Sequence, residues 1–126
     1  MAKIIFIYNA KSGKINSLLD IAHKLISPKT YQCKLCSITH NTFSENEQWK
    51  KFREQTTLPL EFLHSDEFEA KYKPIETKYP VILLEEDNQK IKEWIPKSEI
   101  ENIESTGELI RLIKSKTEAM NFLNLG

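Results

Sequence analysis

The run K-I-I-F-I-Y at residues 3–8 decides how this chain folds. Its β-branched and aromatic residues are continuous and do not alternate with polar ones, which is typical of a strand buried on both faces. Such a strand belongs in the interior of a sheet. The turn-rich segment N-A-K-S-G-K at residues 9–14 follows it, so the strand leads directly into a loop.

A helix is predicted after this loop. Ser17-Leu18-Leu19-Asp20 has the spacing of a capping box in its shorter-acid form. One apolar stripe follows at helical spacing and consists of Leu18, Ile21, Ala22, Leu25 and Ile26. Ser27-Pro28 ends the helix, because the residue before a proline is disfavoured in helical conformation. The chain therefore opens as strand, loop and amphipathic helix.

The rest of the chain predicts short strands and helices in alternation. A second helix is expected to start at the capping box of residues 44–47, and a strand at 58–63 is followed by a short helix from Ser65 to about Tyr72. The predicted elements after Tyr79-Pro80 are a β-hairpin over 81–95 with an acidic turn at 86–89, a helical turn capped by Ser98, and a last helix capped at 105–108 that extends or frays past Lys116.

Composition predicts one globular domain over residues 1–126. The 126 residues hold 18 Lys+Arg against 18 Asp+Glu and are 40% hydrophobic, so the chain can bury a core without a disulfide or a metal. Zero net charge argues against nucleic-acid and anionic-membrane partners. The apolar run at 4–8 is too short for a signal peptide or a membrane span, so we expect a cytoplasmic protein with reduced thiols.

The element order resembles the thioredoxin-like fold, especially its glutaredoxin-sized members. In that family a proline, usually cis, stands just before the third strand, as Y-P-V-I-L-L does at residues 79–84. The likeness covers residues 3–27 and 58–115 and leaves 28–57 as a helical insertion after the first helix. It implies an α/β domain with a four-stranded mixed sheet flanked by helices.

Two further segments bear on function. N-A-K-S-G at 9–13 and T-Y-Q-C-K-L-C at 30–36 are together similar to a group of small bacterial proteins without an established activity. Thioredoxin-like enzymes place a reactive Cys-x-x-Cys between the first strand and helix, where helix N–H groups stabilise a thiolate. Here that position reads Asn9-Ala10-Lys11-Ser12, with no sulfur, so the family's nucleophile does not carry over.

The pair Cys33 and Cys36 has three interpretations. Two thiols at this spacing can be structural, can cycle between dithiol and disulfide with a protein thiol as partner, or can bind a soft metal. In the redox interpretation, Cys33 attacks and Cys36 resolves. A zinc or iron site needs further ligands, for which His23 and His40 are the candidates, although their spacing matches no standard site. Outside this metal alternative, no cofactor is expected.

The loop after the first strand is a candidate pocket for a small anion or a peptide. Ser12-Gly13-Lys14 precedes a helix, but a P-loop needs Gly at position 8 and Ser or Thr at position 15, which rules out an NTPase. A helix N-terminus with lysines nonetheless attracts anions, and a plain solvated turn is the alternative. The residues expected to line this pocket are Asn9, Lys11, Ser12, Lys14, Tyr79 and Pro80.

Other chemistry has no support in the sequence. Ser-His-Asp order, H-E-x-x-H and G-x-G-x-x-G do not occur. His64 is expected in a surface turn, and Trp49 and Phe52 in the core. We therefore expect a small thioredoxin-like protein, with redox, metal-binding and non-catalytic binding roles left open.

Overall fold

The computed structural model describes residues 2–9, 34–39, 45–72, 75–87 and 90–125. Its strands are β1 (Lys3–Tyr8), β2 (Leu60–His64), β3 (Val81–Glu85) and β4 (Ile91–Ile95). Its helices are α1 (Lys34–Thr39), α2 (Glu47–Gln55), α3 (Ser65–Lys71), α4 (Lys97–Glu101) and α5 (Thr106–Leu125). The helix predicted over residues 17–27 lies outside the described residues.

The four strands form one mixed sheet in the order β2-β1-β3-β4. β1 runs parallel to β2 and antiparallel to β3, and β3 runs antiparallel to β4. The prediction of an α/β architecture with a four-stranded mixed sheet is confirmed. β1 is an interior strand, as its continuous apolar sequence predicts, and residues 4–7 are all buried.

Each face of the sheet has its own apolar core. Ile4 and Phe6 point to the face that carries Ile82 and Leu84, which packs with residues of α1, α2, α4 and α5. The opposite face joins Ile5, Ile7, Val81 and Leu83 to Phe68 of α3. Burial of an aliphatic side chain of this size contributes about 1.5–3 kcal/mol. The two cores together therefore fix the pairing register of β1.

Two helices begin at other residues than the sequence predicts. α2 begins after Asn46, whose Oδ1 accepts hydrogen bonds from the backbone N–H groups of Gln48 and Trp49 at 2.9 and 3.1 Å. The predicted start at Ser44 was wrong because Asn caps as well as Ser. α4 also begins earlier than predicted: Pro96 stands at its N-cap position, without a side-chain cap hydrogen bond, in place of Ser98.

The start of the last helix is confirmed. Ser105 Oγ accepts the backbone N–H of Glu108 at 3.2 Å, and the Glu108 carboxylate accepts the backbone N–H of Glu104 at 3.0 Å. α5 then continues past Lys116 to Leu125. Within the segment 28–57, the described residues include the helices α1 and α2.

A charged network crosses one end of the sheet. Lys3 Nζ lies 2.9 Å from the Tyr72 hydroxyl, 3.1 Å from Glu61 Oε1 and 3.6 Å from Glu85 Oε1. Lys71 also pairs with Glu61. Burial raises the pKa of Glu61, but hydrogen bonds from Lys71, Tyr72 and Lys3 outweigh it and lower that pKa to about 2. Glu61 therefore joins β1, β2 and α3 as a carboxylate.

We predict that Glu61→Gln destabilises the protein at neutral pH by about 1–2 kcal/mol, because it breaks a half-buried, multiply bonded charge. The folded-state pKa lies below the ordinary 4.5, so this stabilisation is complete above pH 4.5 and is lost as pH falls towards about 2. Urea unfolding across this range measures it. The matched control is Glu76→Gln at an exposed position, and an equal effect of both substitutions contradicts the assignment.

Candidate functional site

Residues from three segments meet at the carboxyl end of β1. Ile7 is paired with Val81, so Asn9 leaves β1 at the end of the sheet where Tyr79 and Pro80 lead into β3. The Tyr79–Pro80 peptide bond is cis, as the family resemblance implies. The predicted pocket residues Asn9, Tyr79 and Pro80 therefore lie at one end of the sheet. Lys11, Ser12 and Lys14 lie outside the described residues.

The two members of the Tyr79–Pro80 pair differ in exposure. Pro80 is buried, while Tyr79 is half-buried and packs against the core cluster of Ile5 and Ile7. The Tyr79 hydroxyl donates to Glu69 Oε1 at 3.2 Å. Burial and the neighbouring Glu69 carboxylate raise the pKa of Tyr79. Tyr79 thus stays a neutral phenol, tied to α3.

His64 also belongs to this end of the sheet. The sequence placed it in a surface turn, but it is the last residue of β2 and pairs with Tyr8, their rings 6.3 Å apart. Glu67 Oε1 accepts the backbone N–H of His64 at 2.8 Å and lies 2.6 Å from Nδ1. These two contacts, the backbone one first, lower the pKa of Glu67.

The His64–Glu67 pair has a defined chemical capacity. A carboxylate beside Nδ1 fixes the ring orientation and leaves Nε2 available for a hydrogen bond. The side chain of His64 is 41% exposed, so this nitrogen is within reach of solvent. The histidine and a glutamate three residues later were visible in the sequence as H-S-D-E, but only the register of β2 places them beside Tyr8.

Tyr8 connects the sheet to α1. Its hydroxyl hydrogen-bonds with the side chain of Thr39 at the end of α1, and burial raises the pKa of Tyr8 to about 12. Thr39 is fully buried and donates to the carbonyl of Leu35 at 2.9 Å. Arg53 and Glu45, which form a bidentate pair with both distances 2.9 Å, lie close enough to Tyr8 to act on that pKa.

Cys36 lies on α1, one turn before Thr39. It is half-buried and packs against the core next to the buried Leu35. The end of α1 is held by Thr106, whose hydroxyl donates to the carbonyl of Ile38. Cys36 is disulfide-bonded. This differs from the expectation of reduced thiols. Cysteines three residues apart can close a small ring, and the other cysteine of the chain, Cys33, lies outside the described residues.

The metal alternative has no geometric support in the part of the chain that the structure describes, where no three His, Cys, Asp or Glu side chains cluster for a metal ion. Of its proposed ligands, His23, Cys33 and His40 are outside that part. A sulfur in a disulfide offers no thiolate, so Cys36 can ligate zinc or iron only after reduction.

We predict that Tyr8 and Thr39 are energetically coupled. Tyr8→Phe and Thr39→Val each remove one side of the hydrogen bond between β1 and α1, so a double-mutant cycle by urea unfolding should give a coupling of about 0.5–1.5 kcal/mol. Because Thr39→Val also loses the hydrogen bond to Leu35, the destabilisation by a single substitution does not report on this contact, and only the coupling energy does. Strictly additive changes in the free energy of unfolding contradict the prediction.

Comparison with known proteins adds no family to this geometry. No protein-family model, curated protein or solved structure matches the chain. No helix among the described residues has both the length and the apolar character needed to cross a bilayer.

Proposed function

We propose that this protein is a thioredoxin-like domain that carries out thiol–disulfide exchange through Cys33 and Cys36. The fold part of the proposal is supported by the mixed sheet with the order β2-β1-β3-β4 and by the cis Tyr79–Pro80 bond directly before β3. The resemblance implies a four-stranded mixed sheet and a cis bond at this proline. The exchange part departs from the family, because both cysteines follow the segment 17–27, where the sequence predicts the first helix, and do not precede it.

The observation that carries the redox proposal is the disulfide at Cys36 on a helix anchored to the core. α1 is held by Leu35 and Thr39, which are fully buried, and Thr39 contacts Tyr8 of the central strand. Cys36 itself stays partly exposed. A disulfide held on a fixed helix, yet partly open to solvent, suits exchange better than a fully buried structural bridge.

The exchange conserves electrons and atoms. In the reduced protein, the Cys33 thiolate attacks one sulfur of a partner disulfide, forming a mixed disulfide and releasing one partner thiol. The Cys36 thiolate then attacks the Cys33 sulfur, which releases the second partner thiol and closes the protein disulfide. Two electrons pass to the partner. Two glutathione molecules restore the dithiol and become glutathione disulfide.

We predict that Cys33 and Cys36 equilibrate with glutathione. Protein incubated in a series of glutathione ratios, quenched in acid and alkylated, should gain two alkyl groups over one sigmoidal two-electron transition, read by mass spectrometry. Cys36→Ser should instead form a stable mixed disulfide with glutathione at Cys33. An alkylation pattern that does not change with potential rules out the redox function.

Metal analysis of the same protein preparation distinguishes thiol–disulfide exchange from the metal-binding alternative. Near-stoichiometric zinc or iron in untreated protein, lost in Cys36→Ser, would replace the redox proposal with the metal-binding alternative. A disulfide transition in metal-free protein supports exchange.

A second candidate function is supported by the meeting of Asn9 with Tyr79 and Pro80 at one end of the sheet. There, with Lys11, Ser12 and Lys14, a small anion or a peptide carboxylate can bind. We predict that inorganic phosphate shifts the amide resonance of Asn9 in NMR titration and that Lys14→Ala weakens this binding, while Lys116→Ala, on α5, does not. Equal binding by both variants contradicts this pocket.

A further inference from the structure

A cavity lies apart from the sheet end described above. It has a volume of about 360 Å³, is open to solvent on one side, and is lined by the end of α2, the loop 56–58 and residues 113–118 of α5. The loop leads into the start of β2, where Leu60 pairs with Ile4, whereas His64 stands at the other end of the same strand. None of the residues assigned to the carboxyl end of β1 lines this cavity.

The cavity has an apolar floor. Phe52, Leu58 and Ile113 line it, and Ile113 is fully buried. Phe52 is part of the aromatic cluster through Trp49, their ring centroids 5.4 Å apart. A floor supported by the core does not collapse easily, so an apolar side chain of a ligand can be buried there without rearrangement.

The rim carries two opposite charges. Lys114 and Glu118 line the cavity one helical turn apart on α5, and both are exposed. Neither head group forms a hydrogen bond or an ion pair with another residue in the described part of the chain. Lysine four residues before glutamate is the less favourable orientation for pairing along a helix, which explains why they do not meet each other.

We propose that this cavity binds a dipeptide with apolar side chains, whose carboxylate contacts Lys114 and whose ammonium contacts Glu118. A ligand with both charges at its ends and an apolar body matches the two unpaired rim charges and the floor. Side chains one helical turn apart have Cβ atoms about 5–6 Å apart. Two residues of extended chain span roughly 7 Å, so a dipeptide places its termini at the right separation.

The volume supports a ligand of this size. Small-molecule pockets range from about 300 to 1,000 Å³, and this cavity lies near the lower limit. It is too small for a helix or a folded partner. The hydroxyls of Thr56 and Thr57 at the mouth can hydrogen-bond the single peptide group of the ligand.

The test uses the full chain, with L-leucyl-L-leucine as the probe. Binding is measured by NMR titration from the chemical shifts of the backbone amides of residues 113–118. Wild type should show saturable shifts at millimolar concentrations. Lys114→Met and Glu118→Gln should each weaken binding about two- to fivefold, the range for exposed ion pairs. The matched controls, Lys116→Met and Glu99→Gln, keep the same overall charge changes away from the cavity and should bind as wild type.

Two further measurements identify the binding mode. N-acetyl-leucyl-leucine amide, which lacks both terminal charges, should bind wild type more weakly than the free dipeptide and should not distinguish wild type from Lys114→Met. Thr57→Trp places a large side chain at the exposed mouth and should abolish binding without unfolding the protein, as checked by its melting curve. Lack of saturable binding, or equal binding by Lys114→Met, Glu118→Gln and their controls, overturns the proposal.

Discussion

The burial of β1 on both faces and its pairing on both edges is the constraint on which the rest of this structure depends. Four consecutive residues, Ile4 to Ile7, are almost completely buried. A one-residue slip would exchange the two faces of the strand and place each side chain in the wrong core. The pairing also satisfies the backbone groups of the strand on both edges, so burial and hydrogen bonding favour the same register.

This register also places the polar residues at the carboxyl end of β1. Tyr8 pairs with His64, and Ile7 pairs with Val81 directly after the cis proline. The strand register alone brings these residues together, since each of them lies at the end of a strand or next to it. The opposite end of the sheet is held differently, by the ion pairs of Lys3 with Glu61 and Glu85. One end of the sheet is thus crossed by ion pairs, and the other carries a phenol, an imidazole and a proline.

Local sequence patterns predicted the elements of this fold better than their contacts. The apolar run of β1, the hairpin of β3 and β4, and the Ser105 cap of α5 could be predicted because each signal lies within a few residues. The link between Tyr8 and Thr39 could not, since it joins a strand to a helix 31 residues later along the chain. The site at His64 was missed for the same reason: its neighbour across the sheet is set by the parallel register of β2.

Interstrand nuclear Overhauser effects in isotope-labelled protein can measure whether β1 lies between a parallel and an antiparallel neighbour. We predict cross-strand contacts linking Ile7 to Val81 and Tyr8 to His64. Contacts that place β1 at an edge of the sheet, or that pair it with β2 in the antiparallel sense, would contradict this prediction.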